Sequence, residues 1–239
     1  MKDNTLHKSA TRGHVSHGWL ESYQTFSFSG YYNPERMQFG ALRVLNDDVV
    51  LGGKGFGLHP HDNMEIISIP LEGALQHKDN MGNTAVVKAG EVQVMSTGTG
   101  IFHSEYNYNQ DEPAKFLQIW LFPNQLNVQP RYDQITLDAT KQVNSLQTFI
   151  TPNARVNQTW IHQNAWFSMG QFEKGKQETY VMHKRGNGVY FFVISGSFDV
   201  NNQKLESRDG LGVTNHQQIT FSALEDNSTI LIMEVPMIV

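Results

Sequence analysis

Two pairs of potential metal ligands constrain the fold of this chain more than any other feature. His59 and His61 follow a glycine-rich stretch, and His103 and Glu105 follow a second one. The members of each pair are two positions apart, so in a β-strand both side chains point to the same face. Two adjacent strands carrying these pairs would bring three imidazoles and one carboxylate to one point. Such a set of nitrogen and oxygen ligands suits iron, manganese, nickel, copper or zinc.

The rest of the chain has the pattern of short β-strands. No segment shows a convincing helical period, and turn signals such as Asn80–Asn83 separate short apolar or alternating runs. Thr25–Ser29 alternates with a period of two, and Ala41–Leu45 is predicted to be a strand closed by a turn at Asn46–Asp48. Many short strands with Gly and Asn turns predict an all-β sandwich or barrel. Further predicted strands are 65–71, 74–76, 84–87, 91–95, 115–122, 190–194, 198–200, 211–214 and 219–222.

The second half of the chain repeats the pattern of the first. The stretch from Glu72-Gly73 to Ala89-Gly90 has a counterpart from Ser195-Gly196 to Asp209-Gly210. We therefore predict two copies of one β-barrel unit, residues 1–133 and residues 145–239, with a connection across roughly 124–159.

Alignment of the two copies puts other residue types at three of the four ligand positions. The counterparts of His59, His61, His103 and Glu105 are Met182, Lys184, Ala223 and Glu225, with His183 on the opposite strand face. One metal ion, in the first unit, is expected.

Composition excludes several classes of function and ligand. The chain has no cysteine, so thiolate ligands, disulfides and a catalytic thiol are excluded. The formal net charge of −5 argues against a nucleic-acid partner, which needs a basic face. The first residues lack the shape of a signal peptide, and the apolar runs are too short to span a bilayer. A cytoplasmic protein without a membrane partner is expected.

Other polar residues compete for a role at the predicted site. Glu65 is the rival for the fourth ligand, because it shares a face with His61 if the strand is unbroken. The alternative is that Glu65 hydrogen-bonds a ligand histidine or nearby backbone.

His77 and Asp79 are interpreted as the polar end of a hairpin. Four further histidines lack a partner pattern and are interpreted as structural or surface residues: His14, His17, His162 and His216. Four apolar side chains are expected to border the site: Phe56, Met64, Met95 and Phe102.

Beyond these patterns, several stretches resemble the cupin superfamily and, closely, the pirin family of two-barrel cupins. The resemblance covers the first half almost end to end and the second half loosely. Its motifs include Arg12-Gly13-His14, His17-Gly18-Trp19-Leu20, Thr25-Phe26-Ser27-Phe28, Gly55 to His61, Leu71-Glu72-Gly73, His77-Lys78-Asp79, Met81-Gly82-Asn83, Ser96 to Ile101, His103-Ser104-Glu105 and Pro130-Arg131-Tyr132. Gln24 stands where many relatives have histidine, and Phe102 where a polar or basic residue is common; both change the shape of the pocket.

The resemblance implies a bicupin of two jelly-roll barrels with one divalent metal in the first. The ligands would be His59, His61, His103 and Glu105. The implied activity is that of a quercetin 2,3-dioxygenase, usually with Fe(II), although Mn, Co, Ni, Cu or Zn also suit related enzymes. A flavonol and O₂ would be the substrates, and the central ring would open with release of carbon monoxide. Glu105 is the natural general base for the flavonol 3-hydroxyl.

Two other functions are compatible with the same residues. Some pirins are linked to transcriptional regulation through protein partners, with the metal as a redox-dependent conformational control. Turnover by the metal-loaded protein distinguishes an enzyme from such a regulator. A second alternative is another cupin reaction, either dioxygenation of a different aromatic compound or a metal-dependent isomerisation. Consumption of O₂ distinguishes these two reactions.

Overall fold

The computed structural model describes residues 3–238, which form two β-barrels. Each barrel pairs a seven-stranded sheet with a four-stranded sheet. The only helices in residues 3–238 are single 3-10 turns at Ser9–Thr11 and Ala139–Gln142, so the all-β prediction is confirmed. No helix within this range is long and apolar enough to cross a membrane.

The first barrel is formed by eleven strands, preceded by one strand that joins the second barrel. These strands are β1 (Asn4–His7), β2 (Gly13–Ser16), β3 (Leu20–Gln24), β4 (Leu42–Val50), β5 (Gly55–His61), β6 (Glu65–Glu72), β7 (Ala74–Asp79), β8 (Thr84–Lys88), β9 (Glu91–Ser96), β10 (Ile101–Asn107), β11 (Ala114–Leu121) and β12 (Arg131–Thr136). The large sheet has the order β12-β9-β6-β11-β4-β3-β2, and the small sheet has the order β5-β10-β7-β8.

The second barrel contains the ten remaining strands together with β1. These strands are β13 (Gln147–Thr151), β14 (Thr159–Trp160), β15 (Trp166–Phe172), β16 (Gln177–Val181), β17 (Asn187–Ser195), β18 (Ser197–Val200), β19 (Gln203–Glu206), β20 (Gly210–Val213), β21 (Gln218–Ala223) and β22 (Ser228–Pro236). Its large sheet has the order β1-β20-β17-β22-β15-β13-β14, and its small sheet has the order β16-β21-β18-β19.

The large sheet of the first barrel is buried on both faces. Along β6, Ile67 and Ile69 belong to a core shared with the second barrel, whose contribution includes Phe167 and Leu231. Ser68, between them, points to the interior of the first barrel, where it hydrogen-bonds Glu105. The other central strands alternate in the same way. Burial of both faces explains why these strands have near-continuous buried runs instead of a simple apolar-polar alternation.

The interior of the second barrel is filled with apolar side chains. Phe172, Phe198 and Phe221 pack together there. Met182 and Ala223, the counterparts of His59 and His103, are buried in the same cluster. This interior therefore lacks imidazoles at those two positions.

Contacts at the start of the chain join the two barrels. Strand β1 pairs antiparallel with β20, although the chain then continues into the first barrel. The Asp47 carboxylate accepts contacts from Arg12 at 3.2 Å and from Arg208, of the second barrel, at 2.9 Å. Lys8 forms an ion pair with the buried Asp209. The first residues therefore bind the second barrel while the following strands build the first.

Three local predictions were wrong. Asn46–Asp48 is not a turn but lies within β4, where Asn46 and Asp48 face a polar barrel interior. Thr25–Ser29 is not a strand: it bends after β3, and only Phe28 makes a bridge, to Tyr31. The stretch 124–159 is more than a connection, because it supplies β12 to one large sheet and β13 to the other. For Asn46–Asp48 and for 124–159, the pairing that decides the structure is with distant parts of the chain.

Candidate metal centre

Strands β5 and β10 bring the two predicted ligand pairs together. They are antiparallel neighbours, with His103 opposite His59 and Ile101 opposite His61. The register shifts between His103 and Glu105, which is opposite Phe56. Such an irregularity in a barrel strand redirects side chains.

Glycines allow the close approach that this pairing needs. At Gly98, before β10, φ is +46°, and a Cβ would collide with the carbonyl oxygen of Val128. At Gly55, at the start of β5, a Cβ would collide with the carbonyl oxygen of Glu105. A side chain at Gly98 would therefore strain the turn that leads into the second ligand pair.

Three imidazoles form the centre of the site. The ring centroids of His59 and His103 are 4.4 Å apart, those of His59 and His61 are 4.8 Å apart, and those of His61 and His103 are 4.9 Å apart. One ring nitrogen from each lies within 4.8 Å of the other two. This separation suits three ligands around one ion, so a histidine-rich group that could hold a metal is present.

The protonation and hydrogen bonding of these histidines suit metal binding. Burial, reinforced by neighbouring histidines, lowers the pKa of His61 to about 4 and that of His103 to about 3. Both imidazoles are therefore neutral at neutral pH, as a metal ligand must be. His59 Nδ1 lies 2.7 Å from the carbonyl oxygen of Gly57 and donates to it, which leaves Nε2 for a metal. His103 Nε2 is buried and has no hydrogen-bond partner within residues 3–238.

Buried polar side chains of the large sheet hold the Glu105 carboxylate. Its Oε1 accepts from Ser68 Oγ at 3.1 Å and from Gln93 Nε2 at 3.2 Å. Its Oε2 accepts from Gln118 Nε2 at 2.9 Å. These donors come from three different strands and fix the position of the carboxylate.

Glu105 lies beside the three histidines without belonging to the same close group. Its carboxylate forms a second potential ligand group with His77 and His103. Glu105 also lines a cavity together with His59 and His61. His103 is therefore shared by both groups. That His59, His61, His103 and Glu105 together hold one ion stays a prediction.

His77 and Asp79 lie at the end of the β7–β8 hairpin, as interpreted from the sequence, but both side chains are buried beside the strand that carries His103. On β7, His77 is opposite Glu105, and Asp79 is opposite His103. His77 is fully buried and stacks on Tyr132, with ring centroids 4.7 Å apart. Its Nδ1 lies 3.5 Å from His103 Nδ1, and its Nε2 lies 3.0 Å from Asp79 Oδ2. If both contacts are hydrogen bonds, His77 donates to Asp79 and accepts from His103, whose free Nε2 then faces the site.

This chain of hydrogen bonds leads to a prediction for metal affinity. Asp79→Asn removes the charge that orients His77 and, through it, His103. Because loss of such an outer partner typically weakens metal binding about tenfold to a hundredfold, we expect a Kd increase of that order. Competition with a metal chelator measures it. Glu72→Gln, at an exposed carboxylate paired with Lys115, is the matched control. An unchanged Kd in Asp79→Asn with intact folding would contradict the orienting role.

The structure places Glu65 away from the three histidines. Strand β5 ends at His61 and β6 begins at Glu65 in the other sheet, so the unbroken strand that would align them does not exist. Glu65 Oε2 accepts from Ser96 Oγ at 2.7 Å, and the backbone of His162 also donates to this carboxylate. Burial raises the pKa of Glu65 to about 7. Within residues 3–238, Glu65 belongs to no potential ligand group.

Three of the other histidines lie apart from the three-imidazole group. His14 is exposed, binds Glu21 and stacks on Tyr23. His162 packs edge-on against Trp160. His216 contacts the carbonyl oxygen of Thr214, near its own position in the chain. These three fit the structural or surface interpretation. His17 instead lines the cavity beside the site, which its sequence context does not signal.

A cavity of about 360 Å³ opens beside His59 and His61. This volume lies in the range of small-molecule sites. One wall is aromatic and includes Phe28, Phe56 and Trp120, whose ring meets that of His61 edge-on at 4.8 Å. The expected position of Phe56 at the site is confirmed. Met64 and Met95 pack in the cluster around Trp120, and Phe102 is about half exposed.

Polar side chains also line the cavity, and of these the sequence had singled out only Gln24. The others are Asn46, Asp48 and Gln118. Burial, reinforced by the charges of Asp47 and Glu105, raises the pKa of Asp48 to about 7, although a hydrogen bond from Ser22 opposes the shift. The alternation of Asn46 and Asp48 on one strand face was the available signal, but it was interpreted as a turn.

Comparison with known proteins agrees with this architecture. A family model described as Pirin matches residues 5–121, and one described as Quercetinase C-terminal cupin domain matches residues 148–235. Quercetin 2,3-dioxygenase of Escherichia coli (strain K12) is 41% identical over 231 residues, 97% of this chain and 98% of that protein. The Pirin-like protein of Caulobacter vibrioides is 37% identical over 223 residues, 92% and 94% of the two chains.

A solved structure extends the likeness to three dimensions. The crystal structure of the bacterial pirin YhhW from Escherichia coli, in complex with nickel(II), superposes with a TM-score of 0.92 at 39% sequence identity. The match covers 98% of this chain and 99% of that one. Together with the two cupin barrels and the family models, this similarity over nearly the full length shows that the chain belongs to the pirin family.

Proposed function

We propose that this protein is a metal-dependent dioxygenase that cleaves flavonols such as quercetin with O₂. The observation that carries the proposal is the group of three imidazoles beside a cavity that Glu105 also lines. The name of the Escherichia coli relative supports the substrate class. We assign the metal-binding unit to residues 1–133 and a ligand-free unit to residues 145–239 as part of the same proposal.

His59, His61, His103 and Glu105 would hold one divalent ion. The unpartnered, buried Nε2 of His103 fits this role, because a metal would satisfy an atom that otherwise lacks a partner. Fe(II) is the first candidate, and Mn, Co, Ni, Cu and Zn suit the same donors. The nickel(II) in the Escherichia coli pirin is consistent with that range. When bound, the ion would act as a Lewis acid that stabilises an oxyanion.

Glu105 is proposed as the base that accepts the proton of the flavonol 3-hydroxyl. Ser68, Gln93 and Gln118 fix its carboxylate from three strands, so the base is positioned before the substrate enters. Preorganised hydrogen bonds of this kind avoid the cost of reorienting the group during reaction. The proton moves from the 3-hydroxyl oxygen to a Glu105 carboxylate oxygen, which leaves the flavonolate anion facing the three histidines.

The aromatic wall of the cavity would bind and shield the flat substrate. Phe28, Phe56 and Trp120 offer ring faces and edges, and aromatic pairs favour offset or edge-on contacts. Shielding also excludes water, which strengthens electrostatic interactions within the site. As the family resemblance implies, O₂ would then open the central ring and release carbon monoxide.

Oxygen uptake tests this proposal directly. The metal-free protein is loaded anaerobically with each of the six divalent metals in turn, then mixed with quercetin and O₂. We expect O₂ consumption that depends on both metal and flavonol, with carbon monoxide as a product. The metal-free protein is the control. If no metal supports O₂ uptake with any flavonol, the dioxygenase proposal is wrong, and a regulatory role through a protein partner becomes the better explanation.

A further inference from the structure

A row of polar side chains crosses the large sheet of the metal-binding barrel. Its members lie directly opposite one another on five adjacent strands, and side chains paired in this way share a face. In order across β3, β4, β11, β6 and β9, they are Gln24, Asn46, Gln118, Ser68 and Gln93. We call this row the polar ladder. It is unusual for the interior of a barrel, where apolar residues normally fill the space.

The two ends of the polar ladder differ in their hydrogen bonding. Gln118, Ser68 and Gln93 all donate to Glu105. At the other end, Gln24 Oε1 and Asn46 Oδ1 are buried without a hydrogen-bond partner in the described chain. Three members of the ladder therefore serve the proposed base, and the other two line the cavity with unused acceptors.

Asp48 adds a third unused acceptor to this end. It lies two residues beyond Asn46 on β4, so it points to the same face. Its side chain is opposite that of Ser22, which donates to the carboxylate, yet Oδ1 has no partner within residues 3–238. The exposed fractions of Gln24, Asn46 and Asp48 are 2%, 2% and 3%. All three residues line the cavity beside the histidines.

Buried acceptors without donors are unfavourable, and proteins rarely retain them without a reason. Here the three residues line one cavity, which is large enough for a small molecule. The missing partners of Gln24 Oε1 and Asn46 Oδ1 must be hydrogen-bond donors, because amide oxygens only accept, and the ionised form of Asp48 accepts in the same way. Phenolic hydroxyl groups are such donors, and the aromatic side chains that line the same cavity suit the ring that carries them.

We propose that Gln24, Asn46 and Asp48 form a subsite for the hydroxyl groups of the substrate that lie away from the metal. This inference rests on the proposed function and specifies its substrate class as a polyhydroxylated aromatic. Asp48 is the main specificity-determining residue, because a carboxylate accepts more strongly than an amide oxygen. A compound that lacks the matching hydroxyl leaves these acceptors buried and unpaired, which is how such sites reject analogues.

Anaerobic binding to the metal-loaded protein tests the subsite. The two probes are quercetin, with several ring hydroxyls, and 3-hydroxyflavone, which has only the 3-hydroxyl. The wild type should bind quercetin more tightly. In Asp48→Ala, this preference should fall on the order of tenfold to a hundredfold, because one strong hydrogen bond gives discrimination of that size. The Kd for 3-hydroxyflavone should stay unchanged. Asp48→Asn keeps one acceptor oxygen and should retain most of the preference.

The controls separate this inference from a structural role and from the proposed reaction. Glu72→Gln changes a surface carboxylate and should leave both Kd values unchanged. Equal weakening of both probes by Asp48→Ala, or a wild type without preference, would overturn the subsite. If the preference depends on Asp48 but O₂ is not consumed, the subsite stands and the dioxygenase proposal fails. If O₂ is consumed but neither Asp48→Ala nor Asn46→Leu changes the preference for quercetin, the subsite proposal is wrong and the dioxygenase proposal stands.

Discussion

Glu105→Gln is expected to retain the metal and to lose flavonol turnover by about a hundredfold to ten-thousandfold, the usual contribution of a general base. Glutamine keeps the size of the side chain and one oxygen that can face a metal, but it removes the negative charge and the proton acceptor. Metal binding should suffer less, because His59, His61 and His103 remain. Steady-state O₂ uptake and elemental analysis of the same preparation measure the two effects together.

Glu65→Gln is the matched control for this substitution. Glu65 is also a buried carboxylate, but it bonds Ser96 and lies away from the three histidines. We expect this variant to keep its activity once folded. Full activity in Glu105→Gln would exclude Glu105 as the base. Loss of activity in Glu65→Gln with normal metal content would then make Glu65 the next candidate.

His61→Ala is expected to lose most of the single equivalent of metal that each wild-type chain should bind. Two imidazoles and one carboxylate would remain, which is a much weaker set than the four predicted ligands. The loss should exceed that in Asp79→Asn, because a direct ligand is removed instead of its outer partner. Elemental analysis after reconstitution and desalting gives the metal content per chain.

His183→Ala provides the matched control in the second barrel. His183 is half-exposed, stacks on Trp166 and bonds Glu234 at 2.9 Å, so it resembles a ligand histidine in chemistry but not in position. We expect this variant to keep one equivalent of metal. Equal metal content in wild type and His61→Ala would refute the predicted site. A fall in His183→Ala with intact folding would show that the second barrel contributes ligands.

The part of the site that depends on local spacing could be predicted from the sequence. His59, His61 and His103 meet because each ligand pair has the period of a strand and follows a turn that requires glycine. The all-β fold follows from the same short-range signals. Gln93 and Gln118 gave no such signal, because their role depends on a carboxylate brought to them by a third strand.

The missed features depend on long-range pairing. Asn46 and Asp48 have the composition of a turn, and only the neighbours on β3 and β11 extend this segment as a strand. His77 precedes a true turn at Asn80–Asn83, so its burial against Tyr132 comes from a strand more than fifty residues away. Register across a barrel is therefore the information that the single sequence lacked.

The core shared by the two large sheets makes the whole chain one thermodynamic unit. The strands that hold the polar ladder on one face have Ile67, Leu117 and Ile119 on the other, packed with Phe167 and Leu231 of the second barrel. Neither barrel can unfold without exposing this apolar surface to water. The free energy that a metal ion would release on binding at the three histidines would thus stabilise both barrels. The second barrel acts as the backing against which the first barrel keeps its polar interior in register.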